Sequence, residues 1–88
     1  MAHHPEILKL DDGGLCRAMI LISRHRLFEE LTLTPWERGF TKETPEWWAR
    51  AGGLTWKQRR TARVILSKTT RELERRAQLG EWIAEAVG

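Results

Sequence analysis

Three threonines frame this chain, each standing where a helix can begin: Thr34-Pro35-Trp36-Glu37, Thr44-Pro45-Glu46-Trp47 and Thr55-Trp56-Lys57-Gln58. The first is a capping box. Its threonine oxygen can accept the N–H three residues on, its glutamate can reach back to the cap N–H, and its proline stands where a helix needs no donor. The third closes a similar box with glutamine, and the second repeats Thr-Pro with an acid in the first turn, which suits the positive end of the helix dipole. Gly39 and the pair Gly52-Gly53 offer the left-handed backbone that helix C-termini use. The spacing therefore predicts two short helices within residues 35–51, a long helix over 55–79 and, past Gly80, a terminal turn over 81–87.

Ahead of these signals the pattern is less decisive. Residues 1–12, with "PEILKLDDGG", read as an extended arm or a first strand ending in a turn signal. A hairpin joining Ile7–Leu10 to Leu15–Ile22 across Asp-Asp-Gly-Gly is one reading, because Ile20 and Ile22 suit a strand. The other follows Leu15, Ala18, Met19, Ile22, Leu27, Phe28 and Leu31, which keep helical spacing and favour a helix over 14–31. The expected architecture is all-α, a small bundle of about five helical pieces in a single domain over residues 1–88, since this length supports one modest core.

Composition sets the class of partner. Apolar residues are 41% and charged residues 31%, a globular rather than disordered profile. Fifteen Lys and Arg against twelve Asp and Glu give a net charge of +3, and the basic residues gather in the C-terminal half, which favours acidic partners. Cys16 is alone, excluding an intrachain disulfide and suiting a reducing compartment. The longest apolar run, Ala18 to Ile22, is five residues, against roughly 20 for a bilayer span. A cytoplasmic protein without a membrane partner is expected.

On the long helix, Ala62, Leu66, Thr69, Leu73 and Ala77 form one stripe with Ile65 beside it, and this stripe is expected to face the core. Roughly opposite run Lys57, Arg60, Val64, Lys68, Arg71 and Arg75, five cations over about 27 Å of helix. Such a row can meet several phosphates of a nucleic acid and release their counterions. The plainer reading is a solvated face, common to amphipathic helices.

Five tryptophans and no tyrosine sharpen the question. Trp36 and Phe40, four residues apart, predict a core patch. Trp47 and Trp48 are neighbours about 100° apart on a helix, so one of them reaches a boundary. Trp56 lies off the core stripe on the side of Arg60 and Arg63. Tryptophan is usually buried, yet it is also enriched at protein interfaces and as a stacking platform for unpaired bases.

The stretch "ARAGGLTWKQRRTARV" carries the Ala-to-Gly spacing of a helix-turn-helix, with Trp56, Lys57, Gln58, Arg59 and Arg60 opening the would-be recognition helix. Arg59 departs from that motif, which usually buries an aliphatic side chain there. "LTPWERGF" followed by "LTWKQRRTARVIL" resembles a Leu-Thr-x-Trp-Glu-x-x-Phe then Leu-Thr-x-Lys-Gln arrangement in small helical segments of phage and mobile-element DNA-processing proteins. The resemblance covers residues 33–66, under half the chain, carries over no catalytic residues, and implies a DNA-transaction or phage–host setting. The additional tryptophans and the Arg-rich extension after Leu66 depart from it.

No phosphate loop, dinucleotide fingerprint or zinc spacing is present in the sequence, and His25 has no nucleophile or carboxylate set beside it by a readable motif, so neither enzyme chemistry, a cofactor nor a metal is expected. Asp11-Asp12 read as a turn and helix cap rather than as a cation site. Two binding classes follow. In the first, Lys57, Arg59, Arg60, Lys68, Arg71 and Arg75 with Trp56 contact nucleic acid, DNA before RNA, or a host nucleoprotein enzyme. In the second, Arg50, Trp48 and Trp56 present hot spots to a protein, as in a phage-encoded inhibitor or adaptor acting in the host cytoplasm. A homo-oligomer burying surplus tryptophan is the third option.

Overall fold

A computed structural model describes residues 4–75. Its helices are α1 (Pro5–Leu8), α2 (Asp12–Ser23), α3 (Pro35–Ala51) and α4 (Trp56–Arg75), with one 3-10 turn at Phe28–Glu30. The fold is all-α, as the patterning predicts. The long-helix segment past Arg75, the terminal turn over 81–87 and the core position Ala77 lie outside the described residues.

Helix α2 is the centre of the packing, lying against both α3 and α4. Asp11 caps it by accepting the Gly14 N–H at 2.8 Å, and Leu15, Cys16, Ala18, Met19 and Ile22 are buried along it. The Asp-Asp-Gly-Gly stretch thus begins a helix rather than turning a hairpin. The arm before it is helical too: His4 caps α1 and donates its backbone N–H to Ser67 Oγ on α4 at 3.0 Å. Burying Ile7 and Leu10 completely or nearly so gives this short segment the packing that a single turn lacks on its own.

The helix expected over 14–31 stops at Ser23. His25 Nδ1 accepts the Leu27 N–H at 3.1 Å, and Phe28 and Leu31 enter the core through the 3-10 turn instead. Arg38 from α3 holds the segment that follows by donating to the carbonyl oxygens of Glu29, Leu31 and Leu33 at 3.1, 2.7 and 3.2 Å. These acceptors have left the helical ladder and would otherwise need water.

The two short helices expected within 35–51 are one continuous helix. The Thr34–Glu37 capping box forms in full, but Thr44-Pro45 lies inside α3, where Thr41, Thr44 and Pro45 are all buried. Proline here cannot donate to the carbonyl four residues back, yet it supplies apolar surface on the buried face of α3. Packing overrides the local start signal. Gly39 is also internal, and Gly52, at φ 82°, is the sole positive-φ glycine among the described residues. Its N–H donates to the Trp48 carbonyl at 2.8 Å and ends the helix.

Helix α4 opens at the third box, with Thr55 N–H donating to Gln58 Oε1 at 2.9 Å and Gln58 N–H to Thr55 Oγ1 at 3.1 Å. The expected core stripe is borne out where it is described: Ala62, Ile65, Leu66, Thr69 and Leu73 are buried. Burial extends further than the stripe, to Ser67, Thr70 and Glu72, because α1 and the loop before α3 cover the flanks. Glu72 accepts the Thr32 N–H at 2.9 Å and so fastens that loop to α4.

Candidate nucleic-acid interface and aromatic groove

The residues expected to touch nucleic acid separate into two groups according to what α4 packs against. Trp56, Lys57 and Arg60 occupy the exposed head of the helix. Trp56 retains 63% of its surface, and Arg60, four residues on, stands one turn above it on the same side. Lys57 and Arg60 take part in no ion pair among the described residues. Arg75 is exposed and Arg71 half-buried further along the same face.

Arg59 belongs to the other group. Its Nε donates to Asp12 Oδ1 at 2.7 Å and its Nη2 to Asp12 Oδ2 at 3.2 Å, with a further bond to the Leu54 carbonyl at 3.1 Å. The guanidinium that the helix-turn-helix reading put in a groove of DNA is turned inward. It holds the first turn of α4 against the first turn of α2, and the Arg59 hydrogen bonds lower the Asp12 carboxyl below its ordinary range against a smaller opposing effect of burial. Asp12 also accepts the Leu54 N–H at 3.1 Å, tying the interhelical turn to the same carboxylate. Ala49, the small residue of that motif, is exposed on α3.

Lys68 is committed as well. Its ammonium donates to both oxygens of Glu37 at 2.9 and 3.0 Å, linking the middle of α4 to the N-terminus of α3. Burial opposes ionisation of Glu37, but the Thr34 N–H and the Lys68 ammonium outweigh it and hold that carboxyl below the usual range. The basic stripe is therefore an open cationic head at Lys57 and Arg60, with its midpoint engaged by α3.

The tryptophans divide differently from expectation. Trp36, expected in the core, is 65% exposed; it stacks on Phe40 with ring centroids 5.4 Å apart, and Phe40 alone makes the inward contact. Trp36 is the residue after Pro35, in the first turn of α3. Trp48, expected as an interface hot spot, is half-buried against the core. A Cβ on Gly13 would stand 3.8 Å from the Trp48 ring, an ordinary contact distance, so the indole lies against the start of α2. Trp47 is the boundary member of the pair, 37% exposed.

Trp36, Phe40 and Trp47 line a groove of about 530 Å³ along α3, together with Glu43, Glu46 and Arg50, and Gln58 closes it from α4. Sequence reasoning named Arg50 for a protein interface but missed this groove. The spacing 36, 40, 43, 47, 50 marks one face of a continuous helix, and the signal was hidden by reading Thr44-Pro45 as a second start. Cys16, 1% exposed, is the small core residue expected, and burial followed by the nearby Asp12 charge pushes its thiol up to about 11, which removes it as a nucleophile at neutral pH.

No family model, curated protein or solved structure matches this chain. Among the described residues no helix is long and apolar enough to cross a membrane.

Proposed function

We propose that the chain is a small, non-enzymatic nucleic-acid-binding or nucleoprotein-associated protein, of phage or mobile-element type and cytoplasmic, that uses the head of α4 as its contact face. The observation that carries this reading is the exposed Trp56 beside Lys57 and Arg60. An indole with 63% of its surface open is poorly placed to stabilise a fold, whereas next to two cations it suits stacking on a base while the cations meet phosphate. Arg71 and Arg75 extend the same side. The resemblance of residues 33–66 to segments of DNA-processing proteins favours DNA over RNA.

Binding of a fluorescently labelled single-stranded and a double-stranded oligonucleotide, followed with salt, tests the reading. Affinity should fall steeply between about 50 and 300 mM salt, Trp56 should be quenched, and charge reversal at Lys57 and Arg60 should remove the interaction. Equal affinity across that range, or unchanged binding by the reversed variant, rejects it. The second reading, a protein effector such as an inhibitor or adaptor of a host nucleic-acid enzyme, is favoured by a different observation, the groove that Arg50 lines together with the exposed Trp36 and Trp47.

A further inference from the structure

The groove on α3 has a charge opposite to that of the molecule around it. In a chain of net charge +3, its lining carries two carboxylates, Glu43 and Glu46, against one guanidinium, Arg50. Neither carboxylate takes part in an ion pair among the described residues, while Glu29 and Glu37 on either side of the α3 N-terminus are both engaged, with Lys42 and Lys68 respectively. The aromatic walls are electron-rich faces held on a rigid helix. Glu43 stands three residues after Phe40 and four before Trp47, so it lies within one turn of a ring in each direction.

We propose that this groove seats a lysine or arginine side chain of a basic protein segment, with Glu43 as its ionic partner and the rings of Trp47 and Phe40 as its walls. The cation is recognised twice, by a carboxylate and by the quadrupole of an aromatic face, and neither contact suits a phosphate backbone, which Glu43 and Glu46 repel. Gly39 belongs to the site through what it lacks. A Cβ there would stand 3.5 Å from Glu43 Oε2, and any longer side chain would occupy the floor next to that carboxylate. Trp36, stacked on Phe40, extends the apolar wall for the stem of the side chain, since long cationic residues lay their methylenes along apolar surface. The site is separate from the cationic head of α4 and does not depend on nucleic-acid binding there.

The test uses a capped peptide of alternating arginine and alanine and its counterpart with citrulline, the neutral isostere, titrated into the whole protein by calorimetry. Saturable binding of the arginine peptide is expected, with the citrulline peptide and Glu43→Gln each weaker by about tenfold, and Trp47→Ala weaker by several-fold. Gly39→Leu should abolish binding while leaving the helical circular dichroism intact, because leucine is a better helix former than glycine. Equal affinity for the citrulline peptide, full binding by Gly39→Leu, or no saturable binding of the arginine peptide each overturns the proposal. So does a sedimentation result in which the groove is closed by a second copy of this chain, or an oligonucleotide that competes for it. Loss of oligonucleotide binding by the Lys57 and Arg60 reversal, with peptide binding retained, would separate this site from the proposed face on α4.

Discussion

Arg59 and Asp12 meet side-on through two hydrogen bonds, at 2.7 and 3.2 Å, across 47 residues of chain. The contact joins the starts of α2 and α4, and the same carboxylate receives the Leu54 N–H, so one acid fixes both the interhelical turn and the helix after it. Replacing Arg59 by leucine removes the guanidinium and leaves Asp12 with the Leu54 N–H as its remaining partner. The expected outcome is a melting temperature lowered by several degrees at neutral pH with little change in helical content, read by circular dichroism. Asp12→Asn, which keeps shape and part of the bonding, should lower it less.

Acid sensitivity follows from the same contact. The folded-state carboxyls of Asp12 and Glu37 both lie below their ordinary values, so the folded chain binds fewer protons than the unfolded one as pH falls through the carboxylate range. Stability contributed by these groups is present above about pH 4 and is lost as pH drops through the folded values. Urea midpoints measured from about pH 6 down to 3 should fall in the lower part of that range. Asp12→Asn combined with Glu37→Gln should flatten the fall, and an unaltered acid limb in the double variant would assign the effect to other groups.

Glu72 supports a different junction. Only 7% of it is exposed, and its carboxylate receives the Thr32 N–H at 2.9 Å, holding the loop that delivers Leu31 to the core. Glu72→Ala removes the acceptor of that partly covered N–H, at a cost of about 0.5–1.5 kcal/mol, whereas Glu72→Gln retains a carbonyl acceptor and should cost less. Equilibrium urea unfolding checks both the size and the order. A result in which alanine and glutamine are equally harmful would show that charge, rather than the accepted N–H, matters at this position.

What the sequence disclosed and what it hid have separate causes. Capping boxes and periodicity act over three or four residues, so Thr34–Glu37, Thr55–Gln58 and the buried stripe from Ala62 to Leu73 were legible without a fold. Pro45 was misleading because it is buried inside a continuous α3, and whether burial overrides its local helix-breaking tendency depends on neighbours distant in the chain. The last carbonyls of α2 are served locally by the Arg24 and His25 N–H groups, but the donors to the Glu29, Leu31 and Leu33 carbonyls of the segment that follows come from Arg38, beyond any local window. At the candidate site, the exposed Trp56 followed from its angle on α4, but the inward turn of Arg59 and the engagement of Lys68 depend on Asp12 and Glu37, which lie 47 and 31 residues away. Trp36 shares a helix face with Phe40, which predicts it inward, but only the second ring reaches the core and the first stays 65% exposed.

Two glycines should respond in opposite directions to the same change. Gly52 has φ 82° and nothing within 4 Å of a built Cβ, so alanine there meets no atom and pays only in backbone strain, about 1 kcal/mol. Gly13 lies in the first turn of α2 with ordinary helical backbone, and its Cβ would find Asp11 Oδ1 at 3.6 Å and the Trp48 ring at 3.8 Å, both normal contacts. Alanine at Gly13 should stabilise by up to about 0.5–1 kcal/mol through helix propensity and added contact with the indole. Thermal melts of Gly52→Ala, Gly13→Ala and the pair together should give a decrease, an increase and a sum that departs from additivity only as far as Trp48, which both sites touch, couples them.

Arg60 and Lys68 lie on the same outer stripe of α4, and their difference in engagement separates a contact role from a structural one. Arg60 is exposed without an ion pair among the described residues, so on the proposed nucleic-acid reading Arg60→Ala should lower the slope of log affinity against log salt by about 0.9 and leave the melting temperature nearly unchanged. Lys68 donates to both oxygens of Glu37, so Lys68→Ala should instead lower stability by about 0.2–1 kcal/mol, the range of partly exposed ion pairs, with a smaller effect on the slope. Trp56→Ala should weaken single-strand binding by about 1–3 kcal/mol at unchanged slope, because stacking releases no counterion. If Lys68→Ala changes the slope as much as Arg60→Ala does, the Glu37 pair opens on binding and the contact face extends along the whole of α4; if neither alters it, phosphate contact by this helix is excluded.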